Sequence, residues 1–240
     1  MPGTVPSPMI LARLLDSQRQ SMKLAFASLS LLLASCASSP SVEPIDNALL
    51  AKVSADGKAS VNEARAARDA ATDSYALMQS ETRTAQEQIT LAEASLTTID
   101  SQLNESKLAA ELATKNGSKV ELEHAETRHK IALIEADYNR SLLALRKREL
   151  EVAVLNEALA LEETRVSSAM VELKKAEALQ DVDSVAAKQI PIKDHRRQVA
   201  YHREAAATAR ARAESAAALL DEARGNLADE KRKLDALKKQ

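Results

Sequence analysis

The sequence of 240 residues is poor in the residues that build an ordinary globular core. It has no Trp, one Phe and three Tyr, so the large rings that dominate most compact cores are nearly absent. It has four Gly and six Pro, which leaves few positions that force a helix to end. Ala, Glu, Leu, Lys and Arg predominate, a composition typical of long helices and coiled coils. We therefore predict an all-α fold.

The cysteine content, the charge and the motifs exclude several classes of protein. A single cysteine rules out an intramolecular disulfide framework and a cysteine-based zinc cluster. The net charge of −2 gives no reason to expect a nucleic acid partner. No Gly-rich phosphate loop, Gly-x-Ser-x-Gly elbow or His-Glu-x-x-His helix is present. We predict a protein that is not an enzyme, with no catalytic residue and no metal site.

Residues 22–35 have the pattern of a cleaved signal peptide. The segment begins with Met22 and Lys23, continues with a short apolar run and ends in small residues before Cys36, which is the order found in secretory signals. An apolar run of about a dozen residues is short for a membrane-spanning helix, which needs roughly 20. Since a good signal starts at Met22, we hypothesise that translation begins there and that residues 1–21 are a misassigned extension.

The stretch Leu33-Ala34-Ser35-Cys36 resembles the lipobox of bacterial lipoproteins. In that family the cysteine thiol receives a lipid and the signal is cut before it. The resemblance implies that Leu33, Ala34 and Ser35 are recognition residues and that Cys36 carries a covalent lipid, the one prosthetic group we expect. It also implies a place on the periplasmic face of the bacterial outer membrane, because Ala37 stands where an aspartate often retains such proteins at the inner membrane.

Two other interpretations of the N-terminal segment stay open. Cys36 could be a buried, inert cysteine in an uncleaved hydrophobic anchor. Alternatively, residues 1–35 could form a mitochondrial targeting peptide, since they contain Arg13, Arg19, several serines and only one acidic residue, Asp16.

Residues 36–45 are expected to form an extended, mobile tether, because Pro40 and Pro44 stand among small polar residues. Residues 46–240 then read as one helical domain with two breaks. The first break is at Asn116-Gly117-Ser118, where Gly117 would take the left-handed conformation that ends a helix and Ser118 with Glu121 would form a capping box. The second lies at 181–194 around Pro191, as either a turn or a kink.

The three helices predicted between these breaks each carry a seam of apolar or small residues. The first, from Asp46 to Lys115, has its seam spaced alternately three and four apart from Val61 to Ala110. The second, to about Gln180, has a wider apolar arc, as expected of a helix that touches two neighbours. We predict a long antiparallel helical hairpin or a three-helix coiled coil. Homo-oligomeric packing of the same seams is an alternative.

The charge is unevenly distributed along the chain. Residues 46–117 carry 7 basic and 11 acidic side chains, whereas residues 192–240 carry 12 basic and 8 acidic ones. Packing of an acidic helix on a basic helix would explain this. Alternatively, Lys231, Arg232, Lys233, Lys238 and Lys239 would contact anionic polymers such as peptidoglycan.

The bacterial major lipoprotein has a similar architecture, but its C-terminal lysine, which joins the cell wall, is replaced here by Gln240.

Taken together, these patterns predict a lipid-anchored structural or scaffold protein of the cell envelope. It would present a coiled-coil surface to the cell wall or to envelope proteins. The alternative is an accessory lipoprotein that docks its helical hairpin onto a transport or secretion channel. Adaptor proteins of that kind normally contain β domains, and no strand-like stretch is visible here.

Overall fold

Three long helices account for most of the protein, as a computed structural model describing residues 42–183 and 185–238 shows. They are α1 (Ala55–Asn116), α2 (Lys119–Ala178) and α3 (Ile192–Leu237). A 3-10 helix, Asn47–Lys52, precedes α1, and one short helical turn, Val185–Lys188, lies between α2 and α3. The described residues contain no strand, so the predicted all-α class is confirmed. Residues 1–21, the signal segment 22–35 and most of the tether lie outside the described residues.

Helix α1 begins later than the pattern predicted. The chain is extended at Val53 and Ser54, and the Ser54 side chain caps α1 by accepting a hydrogen bond of 3.2 Å from the Gly57 N–H. A serine hydroxyl satisfies one of the amide donors left free at a helix N-terminus. The expected continuous helix from Asp46 is therefore wrong. The helix starts late because the Val53 side chain turns into the core, where it is 5% exposed.

The reversal between α1 and α2 contains the predicted capping box. The Ser118 hydroxyl accepts from the Glu121 N–H, and the Glu121 carboxylate accepts from the Ser118 N–H at 2.7 Å. This backbone hydrogen bond from Ser118 lowers the pKa of Glu121. The predicted left-handed conformation of Gly117 is wrong, because its φ is −86° and its ψ is 157°. Glycine is suited to the site for a different reason: a Cβ there would lie 2.6 Å from the Ala113 carbonyl oxygen.

The three helices form an open layer with α2 in the middle. Helices α1 and α3 each pack along α2 and have almost no contact with each other. The expectation that the second helix touches two neighbours is confirmed. Half of its buried residues are small, Ala136, Ala160, Ala169 and Ala176, and the others are Leu145, Val171, Leu173 and Lys175. Small side chains let two neighbouring helices approach α2 closely.

The second break is a full turn, which decides between the two alternatives. The chain leaves α2 after Ala178, passes through the short turn 185–188 and begins α3 at Ile192, directly after Pro191. Helix α3 then runs back along α2. The seam predicted for this helix is confirmed, because its buried residues include Val199, His202, Ala206, Ala213, Ala216, Leu220 and Leu234.

The two ends of the layer differ. At one end, which we call the N-terminal pole, an apolar cluster joins the 3-10 helix, α1, α2 and the turn before α3; its buried members are Ile45, Leu50, Val53, Val61, Ala176, Leu179 and Ala187. At the other end α3 stops beside α2, where Lys238 pairs with Glu135 at 2.8 Å. The α1–α2 hairpin continues beyond that point for about 25 Å, at 1.5 Å per residue. We call residues 104–134 the hairpin tip.

Candidate functional site

The four residues of the lipobox-like stretch, Leu33, Ala34, Ser35 and Cys36, lie outside the described residues. The structure instead defines the place at which the chain enters the helical layer. Val42 and the residues after it lead directly into the N-terminal pole. A group attached upstream would therefore connect to the protein at this end of the layer.

A partly buried ion pair holds the entering chain against α2. The Glu172 carboxylate accepts a hydrogen bond of 2.8 Å from the Ile45 N–H. Lys175 Nζ donates to the Ile45 carbonyl oxygen at 3.3 Å and pairs with the other Glu172 oxygen at 2.8 Å. Lys175 is 6% exposed, and burial of a lysine is tolerated when its charge is paired and hydrogen-bonded. We call Ile45, Glu172 and Lys175 the N-terminal clamp.

The clamp corrects the prediction of a mobile tether over residues 36–45. Ile45 is 7% exposed and belongs to the core. Glu172 and Lys175 stand three residues apart, a spacing shared by many solvent-exposed pairs on helices. Their side chains are 23% and 8% exposed. The local pattern carries no sign of a third partner 130 residues away, so long-range packing alone reveals the clamp.

Most of the predicted anionic-polymer contacts are already paired within the chain. Arg232 pairs with Asp229, Lys233 with Glu230 at 2.7 Å, and Lys238 with Glu135 at 2.8 Å. The hydrogen bonds that Lys233 and Lys238 donate to Glu230 and Glu135 raise the pKa values of the two lysines. Lys231 has no ion-pair partner among the described residues, and Lys239 lies outside them.

The basic cluster of α3 also does not lie at the far end of the layer, where a contact with an external polymer would be expected. Lys238 lies beside Glu135, which is part of the way along the layer and short of the hairpin tip. Glu135 belongs to α2, so this lysine of α3 pairs with α2 and not with α1. The same holds for Arg210, which pairs with Glu163 at 2.8 Å. The expectation that the acidic first helix packs on the basic third helix is wrong, because α2 separates them.

Two of the four histidines are buried in the α2–α3 interface. His195 is 1% exposed and neither ring nitrogen has a hydrogen-bond partner. Burial lowers its pKa, and the charges of Glu172 and Asp194 partly oppose this effect. His202 is 8% exposed, with its Nδ1 3.5 Å from a Glu162 carboxylate oxygen.

The hairpin tip is the most exposed part of the layer. From residue 104 to residue 134 no side chain is fully buried. Three large apolar residues are more than half exposed there: Leu108 at 59%, Leu112 at 62% and Val120 at 61%. Leu108 and Leu112 stand four residues apart and so lie on one side of α1. Leu77 at 57% and Leu91 at 70% are similarly exposed elsewhere on α1, so exposed apolar side chains are not confined to the tip.

The described helices carry neither a membrane span nor a metal centre. In residues 42–183 and 185–238, no helix combines the length and the hydrophobicity needed to cross a bilayer. Over the same ranges, no three His, Cys, Asp or Glu side chains converge in a metal-binding arrangement. Comparison of the chain with known protein families, characterised proteins and solved structures finds no match.

Proposed function

We propose that this protein is a bacterial envelope lipoprotein that acts as a spacer or scaffold. Lipid on Cys36 would hold the N-terminal pole at the outer membrane, on its periplasmic side. The helical layer would carry the hairpin tip away from the membrane towards the cell wall or towards envelope proteins. In this proposal the function is positional and involves no chemical reaction.

The observation that carries the proposal is the opposite placement of the chain entry and the hairpin tip. The chain enters at the N-terminal pole, and α1 runs from there for 62 residues to the reversal at Gly117. At 1.5 Å per residue this helix is about 90 Å long. With an anchor attached upstream of Val42, the pole would be the anchored end and the tip would lie about 90 Å from it.

The N-terminal clamp supports the same proposal. A spacer transmits position only if its attachment point is fixed to the rigid body. Ile45 is held to α2 by two hydrogen bonds, one from Lys175 and one to Glu172, and by burial in the cluster of the N-terminal pole. The tether therefore ends before Ile45, and the layer is held from that residue onward.

The exposed apolar residues of the tip favour a second function, docking onto a channel of a transport or secretion system. Leu108, Leu112 and Val120 are exposed apolar side chains at the tip, and such side chains suit contact with a protein better than contact with a carbohydrate polymer. Co-purification of a channel with the intact chain would favour this second function over that of a passive spacer.

The proposal is tested first through its anchor. We expect the full chain, expressed in a bacterium that processes lipoproteins, to incorporate an alkyne-labelled fatty acid and to sediment with membranes. The Cys36→Ala variant removes the only thiol, so it should lose both the label and the membrane association. Ser38→Ala, two residues away, serves as the control and should behave like the wild type. Absence of label from the wild-type chain would overturn the proposal.

A further inference from the structure

A groove crosses one face of the helical layer near the N-terminal pole. Because α1 and α3 barely touch each other, they flank α2 and leave one of its faces open. Val166, Ser167 and Met170 of α2 are half-buried and form the groove floor, in which the larger side chains are apolar. The walls are built from small residues, Ala64, Ala67 and Ala71 on α1 and Ala207 on α3. The groove is thus apolar at its base and open along its length.

The two rims of this groove carry opposite charges at the same level. Glu63 of α1 lines the groove beside Met170. On the other side, the Arg203 guanidinium of α3 lies 3.9 Å from the Met170 sulfur. Neither Glu63 nor Arg203 has an ion-pair partner among the described residues, in contrast to Arg210, which pairs with Glu163. These two charges are therefore available to a molecule seated in the groove.

Two-fold symmetry can pair two such layers face to face in two ways. If the axis runs along the helices, α1 of one copy faces α3 of the other, and both copies point in the same direction. If the axis runs across the helices, α1 faces α1 and the copies are antiparallel. The first arrangement places the acidic helix opposite the basic helix, whereas the second places like charges together. The charge of the rims favours the first.

We infer that the groove is the interface of a parallel homodimer. The α1 rim of each copy packs on the α3 rim of the other and closes the opening over Met170 and Val166. Glu63 of each copy then faces Arg203 of the other, because an axis along the helices preserves their common level. Both N-terminal poles lie at the same end of the dimer. This inference does not depend on the lipid anchor, and it accounts for the apolar floor that the single chain leaves open.

Charge reversal tests the pairing. The full chain carrying Cys36→Ser, which cannot be lipidated, is measured by sedimentation over a range of concentrations, and the dimer should have about twice the mass of 25.9 kDa. Glu63→Arg and Arg203→Glu should each weaken dimerisation by about tenfold or more, since each change places two like-charge pairs in the interface. The double variant restores both pairs and should recover most of the affinity. Arg212→Glu is the control, because nine residues turn it to the opposite side of α3 from Arg203.

Cysteine cross-linking tests the direction of the two copies. In the Cys36→Ser background, Ala67→Cys places a thiol on the α1 rim of the groove and Ala207→Cys places one on the α3 rim, each four residues after a charged rim residue. In parallel copies the α1 rim faces the α3 rim, so a mixture of the two variants should form a mixed disulfide-linked dimer under mild oxidation. In antiparallel copies α1 faces α1 and α3 faces α3, so the mixed dimer should not form. Ser101→Cys is the control, since it is exposed on α1 and about 45 Å from the groove at 1.5 Å per residue.

Three results would overturn the inference. One is a monomeric mass at every concentration. Another is a dimer whose affinity is unchanged by both charge reversals. The third is absence of the mixed cross-link between Ala67→Cys and Ala207→Cys although both variants dimerise. Circular dichroism measures the helix content of each variant and so distinguishes loss of association from loss of folding. Met170→Lys should abolish the dimer while leaving the helix content intact.

Discussion

His195 and His202 are polar side chains that are buried in the seam of α3. They stand seven residues apart on the face of α3 that packs against α2. Between them Val199 is 3% exposed, so both imidazoles belong to an otherwise apolar interface. His195 has no hydrogen-bond partner on either nitrogen, and a charged ring in that position would be desolvated without a direct contact to a carboxylate.

This burial gives the stability of the protein a dependence on pH. The folded state holds His195 at a pKa below the usual 6.5, so below that pH the unfolded chain binds a proton that the folded chain does not. Stability should therefore fall as the pH falls from about 6.5 towards the folded pKa, and should be unaffected by this residue at higher pH. We expect His195→Leu to reduce the loss of stability between pH 7.5 and pH 5, measured by urea unfolding.

A variant of an exposed histidine provides the comparison for this measurement. His124 lies at the hairpin tip and is exposed, so His124→Leu should leave the pH dependence of the wild-type protein in place. Identical pH profiles for the wild type and His195→Leu would contradict the role assigned to His195. Comparing the variants at each pH removes the contribution of the carboxylates, which titrate in all of them.

Helix boundaries were predicted well where a side chain acts on its own backbone. The capping box of Ser118 and Glu121 involves residues three apart, so it was readable from the sequence. The start of α1 was not predicted, because the sequence alone does not show which of several serines caps this helix. Ser54 caps it because Val53 turns into the core. Gly57, three residues into α1, marks the same packing: a Cβ there would lie 2.6 Å from Val53 Cγ1 and 3.1 Å from Ala178 Cβ.

Two glycine-to-alanine changes should therefore have opposite effects. Gly225→Ala adds a methyl group that meets nothing within 4 Å in the middle of α3, so it should stabilise the protein by about 0.5–1 kcal/mol through helix propensity. Gly57→Ala should destabilise it by about 1–2 kcal/mol, because Val53 is buried and stiff and cannot move aside cheaply. Urea unfolding of both variants measures the difference. A stabilised Gly57→Ala protein would mean that α1 is not packed closely at its first turn.

On the scale of the whole molecule, stability is unevenly distributed between the two ends. The N-terminal pole joins three helices and the 3-10 helix around one apolar cluster. The hairpin tip has two helices and no fully buried side chain between residues 104 and 134. Segments with few buried apolar contacts open locally at low free-energy cost.

We expect the amides of the hairpin tip to exchange with deuterium much faster than those of residues 160–179, which lie at the end of α2 that belongs to the N-terminal pole. The measurement is hydrogen exchange followed by mass spectrometry on the intact chain. Equal protection of both regions would contradict this distribution of stability. Protection of the tip that appears only when an envelope partner is added would locate the partner there.

The sequence alone determined the elements of this protein. Helix propensity, heptad spacing, the capping residues at 118–121 and the proline at 191 act within a few residues, so they predicted three helices, their order and their seams. They also provided the lipobox-like stretch ending at Cys36, which remains a prediction because it lies outside the described residues.

The tertiary structure decided which surfaces meet. The wider apolar arc of α2 predicted two neighbours for that helix. The seams of α1 and α3 are similar in spacing and in their small residues, so the local pattern does not show whether α1 and α3 also touch each other, as in a closed bundle, or are separated by α2, as in the open layer. The clamp of Ile45 by Glu172 and Lys175, the pairing of Lys238 with Glu135 and the groove over Met170 all join residues that are distant in the sequence. Such contacts depend on the relative placement of whole helices, and the periodicity of each helix leaves that placement undetermined.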